Sequence, residues 1–235
     1  MTMLVAYLHN PLWKAMVLMV PIPFTVAVLS VGKPISSCNI MSLVLLLSFT
    51  HMVRIFHYTF RWQIVPSIIT SACAYCLGGM VIACFLPDTQ IAFWAAFVAT
   101  VSIALLAFRL TPPVNEKGHR SPLPLYIKIP IVFAVVVGLV TLKGQLQGFM
   151  PMFPMVGVLA AYEARHSLWT VCRQINIGIL MFLVMMMVIY LTQNSGGLII
   201  GLGFGWCVYM MMLIPYFIKV MKIPLPFQWS ALMSR

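Results

Sequence analysis

The chain has 235 residues, of which 63% are hydrophobic and only 7% charged, with a mean hydropathy of +1.04. A soluble domain keeps about a quarter of its residues charged, so this composition excludes one. The formal charge of +11 does not point to nucleic acid either. The basic residues fall between apolar runs, which is the positive-inside pattern of membrane proteins.

Apolar runs of about 20 residues recur along the chain, each long enough for a hydrocarbon layer of about 30 Å. Continuous runs such as SLVLLLSF and LMFLVMMMVIYL lack the alternation of a transmembrane barrel strand. The expected fold class is all-α, a polytopic helical membrane protein with about eight transmembrane helices. Residues 1–13 read as a short amphipathic lead without the basic start of a signal peptide.

Span one is expected at 14–31, carrying Pro21 and Pro23, with Lys33-Pro34 closing it. Span two covers 36–53 and ends in a basic turn with His51, Arg54, His57 and Arg61. Span three covers 62–86, Pro87-Asp88 turn the chain, and span four covers 90–110. The proline-rich segment TPPVNEKGHRSPLP, residues 111–124, is the long polar linker. Span five follows at 125–142 and span six at 145–162, with the polar turn Glu163 to His166. Span seven at 170–192 and span eight at 198–218 are joined by QNSGG.

With eight spans both termini share a side. That side takes twelve of the fourteen Lys and Arg residues, leaving only Lys33 and Lys143 opposite, so both termini are expected in the cytoplasm. The six cysteines lie mostly within spans, which argues against a disulfide framework.

A shift of 111 residues lays RIFHYTFRWQI over RHSLWTVCRQI, matching Arg54 with Arg165, Tyr58 with Trp169, Gln63 with Gln174 and Ile64 with Ile175. Lys33 and Lys143 coincide to within one residue. The expected organisation is a first four-span repeat at 1–110, the cytoplasmic linker at 111–124, and a second repeat at 125–235. An even number of spans per unit makes the halves parallel, a known mode of transporter construction.

Within the second half, Gly148, Pro151, Phe153, Pro154 and Tyr162 form a Gly, P-x-F-P, apolar-run, aromatic pattern. The run GFMPMFPMVGVLAAYE resembles the GlpM-type family of small bacterial membrane proteins. The resemblance implies a bacterial inner-membrane protein, with a bearing on envelope polysaccharide or glycerol metabolism. The first half has no P-x-F-P core at the equivalent place, around SSCNIMSLVLLL.

Seven residues form the candidate binding set. Pro151 and Pro154 interrupt span six, and a broken span either bends structurally or lines a binding cavity. Glu163 lies beside Arg165, His166 and Arg173, either as a proton carrier or as a salt-bridge partner. Arg54 and Arg165 together offer two guanidinium forks to a phosphate or carboxylate. Gln63 and Gln174 are amides at the start of spans three and seven, which serve as interhelical glue or as ligand contacts.

Gly197, Gly201 and Gly205 form a small-residue ridge for packing between the halves or in a dimer. Cys73, Cys76 and Cys84 sit within a span and His51, His57 and His166 in basic turns, where packing and interfacial roles outweigh metal or haem binding. No cofactor or metal is therefore expected. With Asp88, Glu116 and Glu163 the only acids, general acid–base catalysis is short of groups. The expected function is a transporter or flippase-like protein for a small solute or an anionic envelope precursor. The alternative is a non-catalytic subunit or assembly factor of a larger envelope or respiratory complex. The expected partners are the lipid bilayer, a second copy or a larger membrane complex, and an unidentified small molecule.

Overall fold

The computed structural model describes Leu12, Met16, residues 18–114, Glu116 and residues 155–222. Expected span five, most of the linker, and Pro151 and Pro154 lie outside the described residues. Within them the fold is all-helical: α1 Ile22–Val31, α2 Ser37–Arg54 with a π-turn at Ile55–Thr59, α3 Ile64–Phe85, α4 Gln90–Leu110, α5 Met155–Glu163 and α6 Leu168–Lys222. Four of these runs, Ser37–Thr59, Ile64–Phe85, Gln90–Leu110 and Leu168–Val220, are long and apolar enough to cross a membrane.

The helix ends follow from local chemistry. Ser36 and Asn39 form a reciprocal capping box at the start of α2. Thr89 Oγ1 accepts the Ala92 N–H at 3.2 Å to open α4. Gly32 ends α1 at φ 66°, and its N–H bonds back to the Val28 carbonyl at 2.9 Å.

The prolines of span one have a traceable consequence. Pro23 has no N–H, so the carbonyl of Met19 loses the donor that a continuous helix would give it. The hydroxyl of Tyr209, on α6, donates to that carbonyl instead at 2.5 Å. Nearby, Thr25 Oγ1 donates to the Pro21 carbonyl at 2.9 Å and accepts the Trp206 indole N–H at 2.8 Å. The carbonyl freed at the break is thus satisfied by Tyr209 of α6, and Trp206 of the same helix ties down Thr25 just beyond it.

A straight helix of 55 residues would run to about 80 Å at 1.5 Å per residue, far beyond any bilayer. Gly197, at φ 79° and ψ 170°, breaks it. Contacts across the break pair Gln174 with Tyr216, Phe182 with Tyr209, Met185 with Gly205 and Ile189 with Gly201. Each pair is centred on or beside Ser195, so the two arms run antiparallel. These arms are the expected spans seven and eight. The glycine ridge, expected between halves or in a dimer, is spent inside this hairpin.

Helix α2 is central. One side packs with α1, α4 and α6 through Ile40, Leu43, Ala104, Met185 and Ile189, and Phe93 stacks on Tyr190 at 3.6 Å. The other side packs with α3 and α5 through Phe49, Val53, Ile68, Tyr75 and Ala161. Val65, Ile69, Ile91, Val98, Ile199 and Met211 point outward, as a lipid-facing surface requires.

Contacts between elements also sort the turns into two ends. At one end, the turn after α2, the close of α4 and the start of α6 meet through Tyr58–Arg165 and Arg173–Thr111 bonds. At the other, the Gln193 amide clamps the Ile35 backbone, accepting its N–H at 2.8 Å and donating to its carbonyl at 3.0 Å. Ser37 Oγ donates to the Pro87 carbonyl at 3.0 Å at that same end. Arg54, Arg61, Arg109, Arg165 and Arg173 belong to the first end, called the basic end below, and Lys33 to the second.

A Cβ on Gly205 would lie 2.7 Å from Ile189 Cγ1, whereas one on Gly203 meets nothing within 4 Å. Gly205→Ala is therefore expected to destabilise the protein by about 1–3 kcal/mol through overpacking. Gly203→Ala should be neutral or stabilising by up to about 1 kcal/mol. Thermal unfolding of the two variants in detergent checks the difference; equal melting temperatures would contradict the hairpin packing.

Candidate functional site

The first two turns of α6 carry most of the polar chemistry at the basic end. Trp169, Arg173 and Asn176 recur at helical spacing and so share one face. Each engages a different element. The Trp169 ring lies under the Arg54 guanidinium, whose Cζ is 4.1 Å from the ring centroid. Such a contact contributes about 0.5–2 kcal/mol depending on desolvation. Arg54 Nη1 is buried and has no hydrogen-bond partner among the described residues.

Arg173 reaches the close of α4. Its Nη1 donates to the Thr111 carbonyl at 2.5 Å, and its Cζ lies 4.4 Å over the Phe108 ring. A cation there meets both an orphan carbonyl and the negative end of the helix dipole. Asn176, fully buried, donates from Nδ2 to Thr111 Oγ1 at 3.5 Å. Its Oδ1 is then the acceptor for His51 Nε2 at 3.0 Å. This requires the hydrogen on His51 Nε2. Thr111 Oγ1 passes its own hydrogen to the Ala107 carbonyl at 2.6 Å.

The N-terminus of α6 is capped from far away in sequence. Ser167 uses its N–H and hydroxyl on the Ala164 carbonyl, at 2.7 and 3.4 Å, so its hydroxyl hydrogen turns away from the helix. Glu116 takes the exposed donors: Oε1 accepts the Trp169 N–H at 3.2 Å and Oε2 the Thr170 N–H at 2.8 Å. A carboxylate on this end of the dipole is stabilising by about 0.3–1 kcal/mol.

The expected binding residues separate into three groups. Arg54, Glu163, Arg165 and Gln174 all stand at the basic end. Glu163 closes α5 and is 5% exposed. Arg165 folds its guanidinium back on its own turn, with Nε donating to His166 Nε2 at 3.2 Å and Cζ 5.0 Å over the Tyr162 ring. Its carbonyl accepts the Tyr58 hydroxyl at 3.1 Å. Arg54 and Arg165 thus share a neighbourhood, but each guanidinium faces a different ring.

Gln174 and Gln63, matched in sequence, differ in environment. Gln174 is 7% exposed and its Oε1 accepts the Tyr216 hydroxyl from the second arm of α6. The Gln63 side chain is exposed, and its backbone carbonyl receives Ser67 N–H and Oγ–H at 3.2 and 2.9 Å. Pro151 and Pro154, the third group, lie outside the described residues.

Comparison with protein-family models, curated proteins and solved structures found no match.

Glu116, Thr111 and Tyr216 were not among the expected site residues. Glu116 read only as a linker charge, and nothing in its neighbours signals a helix N-terminus more than fifty positions away. The i, i+4, i+7 spacing of Trp169, Arg173 and Asn176 is the signal that was available.

Asn176→Leu would strand His51 Nε2–H and break the link to Thr111, at an expected cost of about 1–2 kcal/mol. Gln63→Leu should change stability by less than about 0.5 kcal/mol. Chemical unfolding in micelles checks both; a loss at Gln63 as large as at Asn176 would contradict the placement of the two amides.

Proposed function

We propose that this chain is a transporter or flippase-like protein built from two parallel four-span halves, moving a small anionic solute or envelope precursor. It resides in a bacterial inner membrane with both termini in the cytoplasm, as the charge bias and the GlpM-type resemblance of the GFMPMFP segment support. The site lies between the halves, at the basic end.

One observation carries the reading. Under the 111-residue shift, Arg54 corresponds to Arg165 and Tyr58 to Trp169. A pseudo-twofold axis between the halves then turns a contact of Arg54 with Trp169 into one of Arg165 with Tyr58. Both residue pairs touch, through different atoms: the Arg54 guanidinium lies 4.1 Å over the Trp169 ring, and the Tyr58 hydroxyl donates to the Arg165 carbonyl at 3.1 Å. The adjoining of these two turns supports a site shared by the halves, and the buried Nη1 of Arg54 supplies a donor suited to a phosphate or carboxylate.

A second reading has its own support. Glu116, Arg173, Asn176 and Gln174 spend hydrogen-bonding capacity on other groups of the chain. A self-satisfied network favours a non-catalytic subunit or assembly factor of a larger envelope or respiratory complex. Purification from native membranes separates the two: a stoichiometric partner supports the subunit reading, and a lone protein the transporter.

In liposomes, the purified protein should take up at least one member of a panel of phosphorylated and carboxylated solutes. Arg54→Gln and Arg165→Gln should each lower that uptake by about tenfold, the factor equivalent to about 1.4 kcal/mol. No uptake by folded protein would defeat the transporter reading, and strongly unequal losses would defeat a site shared by the halves.

A further inference from the structure

The turn that closes α2 is a built object. After Arg54 the backbone widens into the π-turn Ile55–Thr59. Phe60 N–H then bonds to the Ile55 carbonyl at 3.1 Å, and Trp62 N–H to the Phe56 carbonyl at 3.0 Å. His57 Nδ1 donates to the Trp62 carbonyl at 2.9 Å. The Phe56 ring stacks on Trp62 with centroids 5.0 Å apart and lies 6.0 Å from Phe60.

This bracing holds two large rings outward: Phe60 is 60% exposed and Trp62 44%. Between them Arg61 adopts φ 56°, the left-handed region that disfavours any side chain with a Cβ. The Arg61 side chain is exposed and makes no hydrogen bond, ion pair or ring contact with a described residue. A strained backbone thus carries a cation between two aromatic rings.

What lies beyond the turn identifies the environment. From Trp62, α3 presents an outward apolar stripe one turn apart at Val65, Ile69, Cys73 and Leu77. The stripe is about 18 Å long at 1.5 Å per residue, close to the thickness of one hydrocarbon leaflet, about 15 Å. Aromatic rings at its head match the level where Trp and Tyr gather at membrane interfaces. Charge decides the headgroup. Of the acids at this end, Glu163 is 5% exposed and Glu116 accepts the Trp169 and Thr170 N–H groups, so Arg61 is the exposed charge beside the rings and favours a headgroup of net negative charge.

We infer that the turn at residues 57–62 and the outward stripe of α3 form a binding site for an anionic phospholipid. The phosphate meets Arg61, the glycerol region rests on Phe60 and Trp62, and the acyl chains follow Val65, Ile69 and Leu77. Its Phe60, Arg61 and Trp62 are distinct from Arg54, Tyr58, Arg165 and Trp169 of the site between the halves.

Native mass spectrometry of the full-length protein in detergent tests this, with phosphatidylglycerol and phosphatidylcholine of identical chains as probes. Wild-type protein should retain phosphatidylglycerol over phosphatidylcholine by about fivefold, the factor one cation contributes near an anionic headgroup. Arg61→Gly removes the cation while relieving the left-handed strain, so it should stay folded and lose the preference. Lys33→Gln, at the opposite end, should keep it, and Arg61→Lys should keep most of it. Retention of the wild-type preference by folded Arg61→Gly would overturn the proposal. So would competition by inorganic phosphate at equal concentration, which would mark a free-anion site.

Discussion

The structure depends on how buried polar groups are satisfied in a chain with almost no acid to offer. Only Asp88, Glu116 and Glu163 are available against fourteen Lys and Arg residues, so ion pairing is not a general solution. The cations instead use rings and helix-end carbonyls: Arg54 the Trp169 ring, Arg173 the Thr111 carbonyl and the Phe108 ring. Such partners need no second charge to be desolvated, which matters where burial of an unpaired ion is costly. The face formed by Trp169, Arg173 and Asn176 therefore ties α2 and the close of α4 to the start of α6, while Glu116 holds the first N–H groups of that helix.

The same rule governs the middle of the fold. In a bilayer core a freed backbone carbonyl has no water to turn to. Pro23 frees the Met19 carbonyl, and Tyr209 supplies the missing donor from a helix 190 residues away in sequence. That bond positions the second arm of α6 against the start of the chain, while Gly201 and Gly205 bring the same arm against the first. At the opposite end Gln193 acts as a surrogate backbone for Ile35. Helix breaks and helix ends are thus the places where the fold is locked.

Much of this was legible in the sequence. The expected spans at 36–53, 62–86 and 90–110 differ from α2, α3 and α4 by two residues or fewer at each end, because apolar runs and turn residues delimit them. The QNSGG turn was readable because Gly197 can adopt a φ of 79°. The partners were not readable. Nothing local distinguishes Gln174, which bonds Tyr216, from Gln63, which faces out, though the two align. The cap at α6 was hidden because Ser167 is the residue type expected there, yet Glu116 holds the N–H groups. Periodicity reports which face a residue shares; it carries no information about which distant element will meet that face.

The central claim is that α6 turns back at Gly197, so that its start and its end share the basic end while residues 193–197 lie opposite. Reporter fusions measure this directly, one inserted at Asn194 and one placed after Arg235, each read for cytoplasmic or external activity. The account predicts an external reporter at Asn194 and a cytoplasmic one after Arg235. Reporters on the same side of the membrane would contradict it.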